Sequence, residues 1–219
     1  MGIEFYSTPA SAPARMNLLL AKHLGVAMDV KEVDLQKQEQ MKPEFLKINP
    51  QHTVPTMVDN GFVLTESRAM LMYLANKYGK DDSLYPKDPQ KRALVDMRIL
   101  FDISTLYPRF GEYVYPTMFA KTPLDPEKLK KVEEVLGYVE LFLKDGFIAG
   151  SNLTIADFSM ASILSTIEAT AILDFSKFAK ISEYLAKCRG LMKGWDELNQ
   201  PGADMFGQWF KTGLAELQS

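Results

Sequence analysis

The stretch Asn49-Pro50-Gln51-His52-Thr53-Val54-Pro55-Thr56-Met57-Val58-Asp59-Asn60-Gly61-Phe62-Val63-Leu64-Thr65-Glu66-Ser67-Arg68-Ala69-Met70 decides how this chain is read. It begins as a loop. Val54 to Val58 and Phe62 to Leu64 carry strand chemistry, and Asn60-Gly61 between them is the strongest short hairpin signal. A helix then opens at Thr65-Glu66-Ser67. A helix N-terminus presents unpaired backbone N–H groups and a positive dipole end, which suits a carboxylate. Glu66 beside it suits an ammonium. Together they describe a receptor for an amino-acid head group, although Glu66 taken alone is equally a favourable first-turn charge.

Outward from this stretch, strand and helix alternate. Ile3 to Tyr6 reads as a strand. Pro13 to Leu24 reads as a helix, with proline in its first turn and Gly25 as its stop. Ala27 to Asp34 is a second strand and Pro43 to Ile48 a short helix. The hairpin and a helix over about 66–77 complete a β-α-β-α-β-β-α order. The polar run Gly79 to Pro89, with Pro86 and Pro89, reads as a linker. Beyond it, 90–119, 124–143, 154–171 and 177–187 carry apolar residues at helical spacing. Two shorter helices are expected near 190–199 and 203–214. Thr154-Ile155-Ala156-Asp157 is a capping box with a structural role. The expected division is an α/β unit over 1–79, a linker over 80–89 and an all-helical unit over 90–219.

Composition narrows the function classes. The chain has 219 residues, of which 47% are hydrophobic and 24% charged, enough apolar material for a substantial core. A net charge of −3 and a pI near 5.5 argue against a general nucleic-acid partner. No apolar run approaches the roughly 18 residues of a spanning helix. The first residues show neither a signal-peptide pattern nor a myristoylation motif. Cys188 is the single cysteine, so no intramolecular disulfide forms. It reads as a packing residue. One cysteine and two histidines argue against a metal site. A cytoplasmic protein with no membrane partner is expected.

Several segments resemble the cytosolic glutathione transferases, the insect Delta class first and the Epsilon class next. The likeness rests on the opening stretch and on the turn Phe5-Tyr6-Ser7-Thr8-Pro9-Ala10-Ser11-Ala12-Pro13-Ala14-Arg15. Lys42-Pro43-Glu44-Phe45-Leu46-Lys47-Ile48-Asn49-Pro50 and Asn152-Leu153-Thr154-Ile155-Ala156-Asp157 extend it. It runs over essentially the whole chain. It implies a thioredoxin-like N-terminal domain followed by an all-helical domain, in a homodimer. It also implies reduced glutathione as co-substrate, no tightly bound cofactor, and conjugation to hydrophobic electrophiles in xenobiotic detoxification. Some relatives also reduce organic hydroperoxides or eliminate chloride from insecticides. The alternative on the same fold is a protein that sequesters hydrophobic ligands with little or no catalysis.

The resemblance assigns roles residue by residue. Ser11 stabilises the glutathione thiolate. A thiol has an ordinary pKa of about 8.5, and a hydrogen bond to the charged form lowers it. By position alone Ser11 equally caps the following helix, and Ser7 is the rival hydroxyl. Without a Cys-x-x-Cys motif, dithiol exchange is excluded. Val54 and Pro55 correspond to a cis bond whose valine backbone pairs with the cysteinyl part of glutathione. Gln40 and His52 face its glycine end, Gln40 standing where Delta enzymes commonly carry histidine. Glu66 and Ser67 read the γ-glutamyl head, with Arg68 and Asp102 in the same network. Ala10 stands where glycine is frequent, which puts the turn geometry in question, since alanine resists positive φ. The hydrophobic substrate site takes Thr8, Ala12, Tyr107, Phe110, Tyr113, Tyr115, Phe119, Trp209 and Phe210. Aromatic stripes on helices are more often core than pocket. Tyr113 is expected in the pocket because its hydroxyl prefers a wet edge.

Overall fold

Ile3–Ser7 (β1) alternates buried Ile3, Phe5 and Ser7 with half-exposed Glu4 and Tyr6, the period of a strand with one face on a core. A computed structural model describes residues 2–217. Met1, which opens the expected α/β unit, and Gln218 and Ser219, which close the helical one, lie outside the described residues. Strand β1 is central: it pairs in parallel with Met28–Glu32 (β2) and antiparallel with Thr56–Asp59 (β3). Phe62–Leu64 (β4) closes the sheet in the order β2-β1-β3-β4. The parallel pair requires a crossover, supplied by Ala12–Leu24 (α1). Pro43–Leu46 (α2) and Ser67–Tyr78 (α3) complete the α/β part. Strand β3 starts two residues later than the sequence suggests, because Pro55 has no N–H to give a ladder.

The rest is helical: Pro89–Phe101 (α4), Tyr107–Ala120 (α5), Pro126–Phe142 (α6), Ile155–Thr170 (α7), Ala179–Leu191 (α8) and Gln200–Ala215 (α9). The single helix expected over 90–119 is interrupted by a π-helical turn at Asp102–Leu106. Pro108 lies just beyond it, where an unbroken α-helix would require an N–H that proline lacks. The short helix expected near 190–199 is also corrected. Helix α8 runs on to Leu191, and a second π-helical turn, Trp195–Asn199, leads straight into α9. None of these helices is long and apolar enough to cross a membrane.

Helix α7 is buried almost throughout and packs on α1, α4, α8 and α9. Its N-terminus carries the expected capping box. Asp157 Oδ2 accepts from the Thr154 N–H at 2.7 Å, and Oδ1 accepts from the Ile148 N–H at 2.9 Å. Burial pushes the Asp157 carboxyl up to about 6 even against these hydrogen bonds. Cys188 is buried, as a packing residue should be. The contact of α1 with α7 and α9 joins the α/β part to the helical part, and the candidate site lies along that junction.

Candidate active site

The turn between β1 and α1 carries Ser11. Its Oγ accepts from the Ala14 N–H at 3.3 Å, capping α1, and its backbone N–H donates to the Thr8 carbonyl at 3.1 Å. Because Oγ accepts in the cap, the hydroxyl proton remains free to donate. Capping and ligand binding are therefore compatible. Ser7, the rival hydroxyl, is buried in β1 and does not reach the cavity. Ala10 keeps a negative φ, so alanine there costs the turn nothing.

Ser11 borders a cavity of about 1020 Å3 between the β1–α1 turn, the segment after β2, and helices α5, α7 and α9. Thr8, Ala12 and Val54 line it beside Ser11. Tyr107, Phe110, Tyr115, Phe119 and Trp209 line the facing side. The rings form a connected wall. Phe110 and Phe206 have centroids 5.8 Å apart, Phe206 and Tyr115 6.2 Å, Tyr115 and Phe119 5.7 Å, and Phe119 and Trp209 5.4 Å. The Tyr107 and Tyr115 hydroxyls are 2.7 Å apart. Burial, with Tyr107 alongside, holds the Tyr115 phenol well above its ordinary value and neutral. Gly111 lets Tyr115 lie back along the helix, since a Cβ there would sit 2.9 Å from the ring.

Tyr113 and Phe210 do not line this cavity. Tyr113 is 6% exposed and belongs to the core, as does Phe210. Helical phase separates Tyr113 from the ring stripe. Residues 107, 111, 115 and 119 advance by about 40° per step of four, a single stripe, whereas Tyr113 lies about 200° from Tyr115. Phe210 lies one turn beyond Phe206 and is 2% exposed, packed into the core below the wall. Phe119 is 64% exposed at the rim. Sequence reading missed Phe206, which closes the ring wall, and Glu32, Asp34 and Asp204, which add carboxylates. On α9 the signal was present: Pro201, Asp204, Met205, Gln208, Trp209 and Thr212 share one helical face.

The head-group region is built separately. The Val54–Pro55 bond is cis. Buried Asn49 organises the loop before it, donating to Thr53 and Thr56 hydroxyls at 3.0 and 2.9 Å and accepting from the Gln51 N–H at 2.9 Å. His52 lies on this loop, exposed, with a left-handed φ of 48°. Gln40 is half-buried, and its Oε1 is buried without a partner. No side chain caps α3, which leaves first-turn N–H groups open. Glu66 is exposed at the N-cap position.

Behind it Ser67, Arg68 and Asp102 are buried and joined. Arg68 donates Nη1 to Ser67 Oγ at 3.1 Å, and Nη2 and Nε to Asp102 Oδ2 at 2.8 and 3.1 Å. Ser159 of α7 donates to the same oxygen at 2.5 Å, and Arg68 lies over the Tyr107 ring. Asn17, absent from the sequence reading, donates to the Ser67 carbonyl at 3.1 Å and so ties α1 to the start of α3.

Known proteins resemble this chain over most of its length. Residues 1–76 match the family model described as "Glutathione S-transferase, N-terminal domain", and 94–191 match "Glutathione S-transferase, C-terminal domain". A delta-class glutathione transferase from Nilaparvata lugens is 49% identical, over 96% of this chain and 99% of that one, with a TM-score of 0.94. The chain belongs to the glutathione S-transferase family. An epsilon-class enzyme from the housefly, Musca domestica, is 37% identical over 96% and 98% of the two chains, with a TM-score of 0.91. A glutathione transferase homologue from Drosophila mojavensis, solved with bound glutathione, is also 37% identical, over 97% of each chain, TM-score 0.91. The transferase thus has the thioredoxin-like sheet and helical C-terminal part of its family, with insect Delta-class structures among its neighbours. The family uses glutathione as co-substrate.

Proposed function

We propose that this transferase conjugates reduced glutathione to hydrophobic electrophiles, with Ser11 stabilising the thiolate. The observation that carries the reading is Ser11 at the N-terminus of α1, on the wall of a cavity whose far side is aromatic. The γ-glutamyl carboxylate sits on the open N–H groups of α3 and Ser67, and its ammonium on Glu66. Arg68 and Asp102 hold that end in place. The Val54 backbone pairs with the cysteinyl part, while Gln40 and His52 face the glycine end. The Ser11 hydroxyl donates to the sulfur, and the helix N-terminus adds favourable potential, so the thiolate forms near neutral pH. The thiolate sulfur then attacks an electrophilic carbon held against Tyr115, Phe119, Phe206 and Trp209. A new C–S bond forms as a halide leaves with the C–X electron pair, or as an epoxide C–O or conjugated C=C bond yields its pair and takes up a proton; the thiol proton passes to solvent. Placing the two reactants side by side supplies the proximity.

The exposed stripe Leu94, Met97, Leu100 and Ile103 on α4 and the following turn, with Phe62 on β4, supports a homodimer. The division at residues 80–89, a cytoplasmic location and a detoxification role belong to the same reading by kinship. A conjugation assay across a panel of aryl halides, epoxides and unsaturated carbonyls tests the activity. Turnover of several members supports it. Tight binding of hydrophobic compounds without turnover supports a sequestering protein instead.

A further inference from the structure

The cavity wall carries three carboxylates, Glu32, Asp34 and Asp204, and no Lys, Arg or His among its described lining residues. A thiolate formed there meets negative charge. Part of its compensation comes from Ser11 and the N-terminus of α1. The remaining positive charge lies behind the wall, on Arg15.

Arg15 is 1% exposed. Its Nε donates to Asn199 Oδ1 at 3.2 Å, Nη1 to the Ala10 carbonyl at 3.2 Å, and Nη2 to the Ser162 carbonyl at 3.3 Å and to the Thr166 hydroxyl. All four acceptors are neutral. Asp204 on α9 and Tyr107 on α5 act on it only through space, and burial draws its pKa down to about 9, so it is cationic at neutral pH. Arg68 provides the contrast, since its charge is neutralised in direct contact by Asp102. A buried cation with only neutral groups in direct contact is costly to keep. An aspartate in place of Asn199 would pair with it in nearly the same shape.

The four bonds also have a direction. Three acceptors belong to the helical part, and the fourth is the carbonyl of Ala10, the residue before Ser11. The same place admits no extra atom on α9. A Cβ at Gly202 would lie 2.2 Å from the Pro9 carbonyl oxygen and 2.5 Å from Arg15 Cδ. The turn carrying Ser11 is therefore pressed and bonded to α7 and α9 through Arg15.

We propose that Arg15 is a positioning residue for conjugation, locking the Ser11 turn to the helical part and holding, behind the bound thiolate, a positive charge that no anion contacts directly. The inference rests on the glutathione reading above. Asn199 also donates Nδ2 to the Ser165 hydroxyl at 2.9 Å, a bond an aspartate gives up, so the thiol titration and not the melting temperature separates the two roles. The test is Asn199→Asp, which supplies the missing counter-charge, with Arg15→Lys, which keeps the charge and gives up part of the fork. The thiol of bound glutathione is titrated by the ultraviolet absorbance of its thiolate, alongside thermal unfolding and the pH profile of kcat.

In Asn199→Asp the thiol pKa is expected to rise by about one unit. Below that pKa kcat falls about tenfold and recovers at higher pH, while KM for the electrophile stays put. Arg15→Lys is expected to melt earlier with a thiol pKa close to the parent's. A thiol pKa and pH profile in Asn199→Asp equal to the parent's overturn the inference. If the parent itself binds glutathione with an ordinary thiol pKa, the thiolate reading falls first and the inference with it.

Discussion

Replacing Asp102 by alanine removes the anion from a pair that is closed to water on both sides. Arg68 and Asp102 side chains are 8% and 0% exposed. Three donors converge on one oxygen, Oδ2, while Oδ1 is buried with no partner. The intact pair is thus incompletely solvated by protein, and its net worth against an apolar pair of similar volume is small. Breaking it from one side is another matter, because the guanidinium stays buried without its counter-charge. That costs about 3–5 kcal/mol, or roughly 6–20 °C of melting temperature for a chain of this size. Adding Arg68→Met to Asp102→Ala should recover much of the loss, so the two single costs should exceed the double by about 2 kcal/mol or more. Denaturant unfolding of the four proteins measures this cycle. Glutathione affinity, taken from the same samples by titration, should fall in Asp102→Ala, since Arg68 steadies Ser67 at the head of α3. A loss below about 1 kcal/mol, additive single costs and unchanged glutathione affinity would together refute this account of the network.

Glu66→Ala should weaken glutathione binding by on the order of 2 kcal/mol, with the apo melting temperature nearly unchanged because Glu66 is exposed; titration calorimetry and a thermal melt read both. Tyr113→Ala should cost about 3–5 kcal/mol of stability and leave the electrophile profile flat, whereas Phe119→Ala should shift relative rates across the panel at little cost in stability. Asp59 gives a pH prediction. Burial alone would raise its carboxyl, but hydrogen bonds from Lys77, Tyr78 and Tyr73 overcome that and hold it at about 2. A folded pKa below the unfolded value of about 3.9 means stability that is present above pH 4 and lost as pH falls from about 4 to 2, about 2.5 kcal/mol in all. Asp59→Asn should be less stable at neutral pH, with a flatter acid limb in urea-unfolding free energies.

The sheet and hairpin were legible because local chemistry agrees with the fold. Asn60 and Gly61 both take positive φ, as a tight hairpin turn asks. Pro13 in the first turn and Gly25 after the last bracket α1 as read. In the helical part the apolar spacing marks helical residues but not where one helix ends and the next begins. A π-helical turn leaves apolar spacing almost intact, so the break at Asp102–Leu106 stays hidden in a periodic pattern. Tyr113 was misplaced because a hydroxyl's taste for water was set above helical phase, and phase decides which face meets the cavity. The cis bond at Val54–Pro55 was expected through resemblance alone, since nothing in the residues marks it. Nothing in the sequence marks Arg15 and Asn17 as interior, because polar residues on a helix ordinarily face solvent. Only the packing of α7 and α9 across α1 makes them interior.

If Ser11 stabilises the thiolate, the pKa of the bound glutathione thiol depends on the Ser11 hydroxyl. Ultraviolet titration of the parent complex should give a value below the ordinary 8.5. In Ser11→Ala that value should rise by about one to two units, following a charge-assisted hydrogen bond worth about 1.5–3 kcal/mol, with turnover at neutral pH down roughly 10- to 100-fold. Loss of the cap alone should cost about 1 kcal/mol of stability. A thiol pKa that is the same with and without the Ser11 hydroxyl would contradict the account, whatever happened to stability.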